Sequence, residues 1–494
     1  MKRTITLILS LVMLLSVFSL IACANKDDKK PQGTVDENGD YIDGLPATMD
    51  FEAEEINFVF AEGSNDNFTA RSISVDAEDT SDNVDAKIAA RNAAIEQRLN
   101  VVISSEQKAT GIGDLKSNIK NVMDSGGEEI DVIAGYQYYD VGMAVDGWLL
   151  NLNTLDQYDA DYIDFDSPEG YWSTYYNNDL MYKNARYWIT GDLALRYIGG
   201  MYCTFVNQTI YKNFLETEYG NIYTIVRNGE WTLDKLTEMA GKCYVDNGST
   251  PDKVDEDDQL GYAWEPNDPL DGLAFSSMIS FSTKYEDDTI KITLNNERTV
   301  SFLAKLGDLL EGPFSMNVGD SDSSIVMKAF NNGNVAFHVN KIFKAESDLQ
   351  EMQDEYYIIP APKFDSTQEN YVTGVHDGCT IFGISYGCPN IPAVAATLEA
   401  MAAESKRIVT PVYYDSALKY KYTRDNDSAD MIDLIRSHVS TDFAAVWSAS
   451  ISNIVHFFRS NHNSKTTATV LKKVVPSYQK QLDKLLEALE EDSE

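Results

Sequence analysis

The chain predicts an α/β protein of two or three lobes built on parallel sheet, and three observations carry that expectation. Between residues 56 and 134, short apolar runs alternate with helical periodicity in the order strand, helix, strand, helix, strand, the pattern of a parallel sheet covered by helices. At 494 residues the chain exceeds what one hydrophobic core organises. Its 28 Tyr, 20 Phe and 6 Trp supply enough aromatic surface to fill such cores, so the bulk of it is globular rather than a disordered stalk.

In chain order, Lys2 and Arg3, the apolar run from Ile5 to Ile21 and the small residue Ala22 make a secretory signal over residues 1–22. Leu20-Ile21-Ala22-Cys23 resembles a bacterial lipobox. That resemblance implies Cys23 as the lipid-modified first residue of the mature protein, held outside the cell membrane on acyl chains. The run is shorter than the ~20 apolar residues a spanning helix needs. Residues 23–50, rich in Lys, Asp, Gly and Pro without periodicity, read as a flexible tether.

Ile56-Asn57-Phe58-Val59-Phe60 reads as a buried strand, followed by a polar loop from Glu62 to Asn67. A helix starting at Ser81 or Asp82 places Val84, Ile88, Ile95 and Leu99 on one face and runs into the strand Val101-Val102-Ile103. A second helix precedes the strand Ile130–Ala134, which ends in an aromatic loop. Thr232 reads as the N-cap of a helix, with Trp231 stapled onto Leu236. After Pro476, Leu482, Leu485, Leu486 and Leu489 fall at helical spacing and mark a packing helix. Ligands of such sheets gather beyond the carboxyl ends of strands, which is where candidate site residues are sought.

The formal charge is −38, and loss of Lys2 and Arg3 with the signal makes the mature chain more acidic still. Binding to nucleic-acid phosphates needs Lys and Arg, so nucleic acid is excluded as a partner, and peripheral attachment to anionic lipid is disfavoured. Cys203, Cys243, Cys379 and Cys388 permit two disulfides in an exported protein, but their spacing favours free buried thiols, with Cys379–Cys388 the pair if one forms.

Gly383-Ile384-Ser385-Tyr386-Gly387 matches the GxSxG turn of serine hydrolases. Two prolines follow at once, and His438, His456 and His462 carry no mark of pairing with an acid. Four scattered Ser-x-x-Lys matches lack the Lys-Thr-Gly that would complete a penicillin-recognising site. No dinucleotide, nucleotide-phosphate or zinc-protease motif occurs, and no cofactor is expected. Residues 252–261 are acidic, but with Val254 at a ligand position and no inner glycine they read as a solvated turn rather than a calcium loop.

Several segments, taken in order, resemble the bacterial extracellular solute-binding proteins of family one, the maltose-binding-protein-like receptors of ABC importers. They are Arg91–Val101, Tyr202-Cys203-Thr204-Phe205-Val206-Asn207, Gly229-Glu230-Trp231-Thr232-Leu233, Phe330–Phe337 and Tyr357–Lys363. Pro411–Lys419 and Arg424–Met431 look like a clostridial-type branch. The resemblance implies a two-lobed, periplasmic-binding-protein-like (type II) α/β fold with crossing hinge strands. The first lobe would hold residues 51–202 and 380–408, the second 203–375 and 409–494. It implies capture of a small polar molecule, a saccharide by preference, for delivery to ABC permease subunits, with no covalent chemistry and the protein acting as a monomer.

The ligand-binding residues expected from loops after strands are Glu62, Asn65, Tyr138 and Tyr139 in the first lobe. Asp192 and Tyr197 lie near one crossing, and His376 and Asp377 in the other. Trp264 and Trp447 belong to the second lobe, and Trp264, ahead of the polar run Glu265-Pro266-Asn267-Asp268, is expected as a stacking platform at the cleft rim. A secreted glycoside hydrolase and a polysaccharide-tethering lipoprotein are the rival readings, since paired carboxylates are abundant and sequence gives no carboxylate separation.

Overall fold

The computed structural model describes residues 43–46, 49–63, 67–76, 82–167, 170–248, 258–318, 323–419, 426–463, 465–466 and 468–491. The signal segment, Cys23, most of the tether, Asn65 and residues 252–257 of the acidic stretch lie outside them. Among the described residues eleven strands are assigned: β1 Glu54–Ala61, β2 Val101–Ala109, β3 Val132–Tyr136, β4 Tyr202–Asn207, β5 Leu260–Trp264, β6 Ser282–Lys284, β7 Ile290–Ile292, β8 Ser315–Asn317, β9 Val335–Lys341, β10 Tyr356–Pro360 and β11 Thr380–Ile384. They form a four-stranded sheet in the order β11-β3-β1-β2, a five-stranded sheet in the order β10-β4-β9-β5-β8, and the hairpin β6-β7.

The first sheet begins as the sequence predicts. Ile56, Phe58, Val59 and Phe60 are buried, because β1 sits between parallel partners β2 and β3 and both its faces are covered. Asp82 caps the helix Asn83–Leu99, accepting from the Val84 and Asp85 amides at 2.7 and 3.2 Å, and Val84, Ile88, Ile95 and Leu99 are its buried face. Asn100 then turns the chain into β2 with a left-handed φ of 50°, a conformation Asn tolerates better than most residues.

The sheets are not purely parallel. β11 runs antiparallel to β3, and β4 antiparallel to both β9 and β10. These strands adjoin the segments that pass between lobes, and a strand arriving from the other lobe needs no right-handed crossover to reach its partner. The two passing segments lie side by side: Met201 bridges Val375, the Tyr202 amide donates to the Gly374 carbonyl at 3.1 Å, and the His376 amide to Gly200 at 3.0 Å. Gly272 and Gly374 permit this packing. A Cβ at either would stand 2.6 Å from Tyr202 Cγ or 2.4 Å from the Phe275 ring.

Thr232 caps the helix Leu233–Cys243 as expected, and Trp231 is core, donating its indole N–H to the Pro360 carbonyl at 2.9 Å. The last helix, Ala468–Glu491, starts before Pro476 and runs through it, with Leu482, Leu485 and Leu489 buried. Cys203, Cys243, Cys379 and Cys388 are free and buried. Ser385 is fully buried, and its hydroxyl lies within 3.4 Å of the Gly127 carbonyl and the Gly387 amide, so the GxSxG match is a strand end rather than an exposed nucleophile. Among the described residues no helix is long and apolar enough to cross a membrane.

Candidate functional site

The carboxyl ends of β3, β5 and β9 meet the passing segment Tyr371–Gly378, and the side chains delivered there form one charged and aromatic cluster between the two sheets. Asp268, at the start of the helix Pro269–Ser276 beyond β5, commits Oδ2 to Lys341 at the end of β9 and to His376 Nε2 at 3.1 Å. Asp271, one turn on, commits Oδ2 to Arg459, which donates through Nε at 2.9 Å and Nη2 at 2.5 Å. Asp377 accepts from His456 Nε2 at 3.1 Å and lies 3.4 Å from both His376 Nε2 and Arg459 Nη2. The Tyr138 ring from the first lobe stacks on His456, centroids 5.2 Å apart and planes at 14°, while its hydroxyl donates to Asn453 at 3.0 Å.

Burial opposes ionisation of Asp268, but Lys341 and His376 outweigh it and hold the carboxyl well below its usual range. Asp377 is likewise buried, yet His456, His376 and Arg459 hold it at about 2. In Asp271 burial prevails over Arg459 and raises the carboxyl to about 7. The other oxygens are the informative ones. Asp268 Oδ1, Asp271 Oδ1 and the Trp264 indole nitrogen are buried without a hydrogen-bond partner, and such a group costs about 1–3 kcal/mol until something satisfies it.

His376 and Asp377 stand inside this cluster, Tyr138 borders it, and Tyr139, about half exposed, packs edge-on to Tyr138 at 4.8 Å. Glu62 does follow β1, but its carboxylate accepts the Thr69 and Ala70 amides at 2.7 and 2.9 Å, capping the helix Phe68–Ile73, with Arg196 3.7 Å away. Its position is that of a cap, which a polar loop of unknown path cannot reveal. Asp192 is paired with Arg436 at 3.0 Å and Tyr197 donates to Ser173 at 2.7 Å, both buried, so they brace the passing segment. Trp447, just past the helix Phe443–Val446, is 1% exposed and stacks on Phe443, its indole nitrogen buried without a hydrogen-bond partner. Trp264 ends β5 as expected, yet it is only 6% exposed and meets His462 edge-on at 4.9 Å; its ring is built into the lobe wall instead of standing on a rim.

Asp268, Asp271, Lys341, His456 and Arg459 carry no site signal in the sequence pattern. Asp268 closes the polar run Glu265-Pro266-Asn267-Asp268, and His456 reads in sequence only as an unpaired histidine. Arg459 lies in Phe457-Phe458-Arg459-Ser460, which carries no local signal. Among the described residues no group of three or more His, Cys, Asp or Glu has the arrangement to hold a metal ion.

No family model matches the sequence, and no curated protein does either. Solved structures do match. UspC of M. tuberculosis superposes with a TM-score of 0.55 at 12% identity, covering 86% of this chain and 100% of its own. An ABC substrate-binding protein of Listeria monocytogenes, in complex with cycloalternan, gives 0.52 at 14% identity over 89% of this chain and 99% of that one. This is the two-lobed solute-binding fold. An ABC transporter solute-binding protein of Thermotoga lettingae, bound with alpha-D-tagatose, adds a TM-score of 0.50 at 12% identity over 87% and 100% of the two chains. In a solute-binding fold the seam between lobes, where the cluster lies, is the place that hinge motion opens and closes.

Proposed function

We propose that the protein is the solute receptor of an ABC importer, anchored at the outer face of the cell membrane by a lipid on Cys23. It would capture a small neutral or cationic polar molecule, a saccharide, between its lobes and present it to the permease as a monomer without altering it. The observation that carries this reading is the set of unpartnered buried atoms at the seam, Asp268 Oδ1, Asp271 Oδ1 and Trp264 Nε1, beside the rings of Tyr138 and Tyr139. Two acceptors, one donor and aromatic faces match the hydroxyls and C–H faces of a sugar. The ligands bound in two fold neighbours, cycloalternan and alpha-D-tagatose, support the same class.

A thermal-shift screen across sugars, peptides, polyamines and organic acids tests it. The expected result is a saturable stabilisation by one or more saccharides, with a fall in radius of gyration in solution scattering as the lobes close. Stabilisation confined to peptides would overturn the ligand class, and turnover of a glycan at low protein concentration would replace the receptor with the hydrolase reading.

Trp264 gives a sharper test within this scheme. Because the ring is buried, Trp264→Ala would damage the lobe itself, whereas Trp264→Phe keeps one aromatic ring and deletes the unpartnered N–H together with part of the indole's volume. Calorimetric titration with the best saccharide, run well below the melting transition that the smaller ring lowers, should show Trp264→Phe weakened by about 1 kcal/mol. Equal affinity would remove the indole N–H from the site.

A further inference from the structure

A separate cavity of about 560 Å³ opens where Tyr175 of the first lobe meets the second, lined by Tyr175, Arg298, Gln368, Asn370, His438 and Ser440 among others. Met278, just past the carboxyl end of the helix Pro269–Ser276, also lines it. Asp271 of the cleft cluster lies at the other end of that helix, which is about 12 Å long by its rise per residue.

Arg298 is the informative side chain. In a chain with 78 acidic residues against 40 basic ones, its hydrogen bonds go to neutral acceptors: Nε to the Ser277 carbonyl at 2.7 Å and Nη2 to Gln368 Oε1 at 2.9 Å. Gln368 is buried and held in turn, donating to the Ser276 and Asn370 carbonyls at 2.9 Å each. The Phe364 ring lies 4.5 Å from the guanidinium carbon. The fork is thus fixed in place, and Nη1 makes no hydrogen bond among the described residues. His438 shares a proton with Ser437 through Nδ1 at 2.8 Å, which leaves Nε2 uncommitted. The acidic residue on this lining, Glu369, is exposed and forms no ion pair with Arg298. At the same place Tyr175 is 68% exposed and Met278 50% exposed, large side chains that mark binding surfaces when they cluster around a cavity.

We propose that this cavity is a second ligand site, taking a small ring compound that carries a carboxylate, with a uronic acid as the fitting class. The carboxylate would lie on Arg298 Nη1, for which a pre-fixed guanidinium is the matching donor. The C–H face of the ring would lie against Tyr175, and Asn370 and Ser440 would meet its hydroxyls. The volume falls inside the roughly 300–1,000 Å³ of small-molecule sites. This site stands independently of what the cleft binds.

The test titrates the full-length protein with D-glucuronate and with D-glucose, its neutral counterpart, by saturation-transfer NMR and calorimetry. Glucuronate is expected to bind saturably and at least tenfold more tightly than glucose. Arg298→Gln should weaken it about tenfold or more, Tyr175→Ala several-fold, and the cleft variant Trp264→Phe not at all. Tyr175→Ala alters an exposed ring and keeps the test valid if Arg298→Gln lowers the melting temperature. Absence of saturable glucuronate binding, equal affinity for glucose, indifference to both substitutions, or loss of binding in Trp264→Phe would each overturn the proposal.

Discussion

Lys341→Met is expected to destabilise the protein by about 3–5 kcal/mol, the cost of removing one partner from a buried ion pair. Asp268 and Lys341 are 3% and 5% exposed, and Lys341 supplies the leading attraction that keeps the buried Asp268 ionised. Met fills the space of the stem and leaves the carboxylate with His376 alone, 3.1 Å away. A protonated His376 substitutes for the lost charge, whereas a neutral one cannot. Burial, followed by the nearby Lys341, holds that imidazole below its ordinary range in the parent, and deleting Lys341 releases it upward. The loss should therefore be larger at pH 8 than at pH 6. Asp268→Asn combined with Lys341→Met removes both charges and should recover most of the loss. Urea denaturation of the parent, the two single variants and the double variant at both pH values measures all of this. A Lys341→Met protein within 1 kcal/mol of the parent would show that Asp268 is solvated or neutral in the fold.

The second large effect is on pH. Burial raises the carboxyls of Asp140, Asp179, Asp271 and Glu399 to about 7, from ordinary values of about 4. A raised carboxyl binds its proton more tightly in the folded chain, so between about pH 4 and 7 the folded state holds more protons than the unfolded one. Stability then falls as pH rises through that window. Asp268 and Asp377 have the opposite sign, but their contribution is lost only as pH falls below about 4 toward their depressed values. The buried imidazoles of His338, lowered to about 4, and His376 also oppose the trend below about pH 6.5, two groups against the four raised carboxyls. Relief of self-repulsion in a chain of charge −38 works in the same direction as the raised group. Melting temperature should rise from pH 7.5 to pH 5, by a free energy on the order of a few kcal/mol. Asp140→Asn isolates one share. Its Oδ2 accepts the Tyr136 amide at 2.8 Å and its Oδ1 is unpartnered, so an amide preserves the contact, removes the titration and flattens the profile. A melting temperature higher at pH 7.5 than at pH 5 would contradict the burial of these groups.

Local rules account for much of what the chain shows before it is folded. The apolar run of β1, the stripe Val84, Ile88, Ile95 and Leu99 and the caps Asp82 and Thr232 depend on neighbours within a few residues, and they appear in the structure where the pattern puts them. That the loops after β3 and β5 and the His376-Asp377 pair lie near the seam also follows from the fold class, while their part in binding rests on the proposal above. What a polar side chain does on arrival was not legible. Glu62 became a helix cap and Asp192 an arginine's partner, although both carry the composition expected of a site.

Tertiary structure alone decided the charge cluster, because its members lie far apart in sequence: Asp268 with Lys341 and His376, and Asp271 and Asp377 with Arg459. A buried ion pair is chosen by which strand ends face each other across the seam, and no short window of sequence records that. The same holds for Trp264, whose position after β5 was predictable from the pattern while its burial was set by His462 and the lobe wall around it. Periodicity and capping act over a few residues and can be read in order. Burial and pairing of charge act through space, and exist only once the chain has closed on itself.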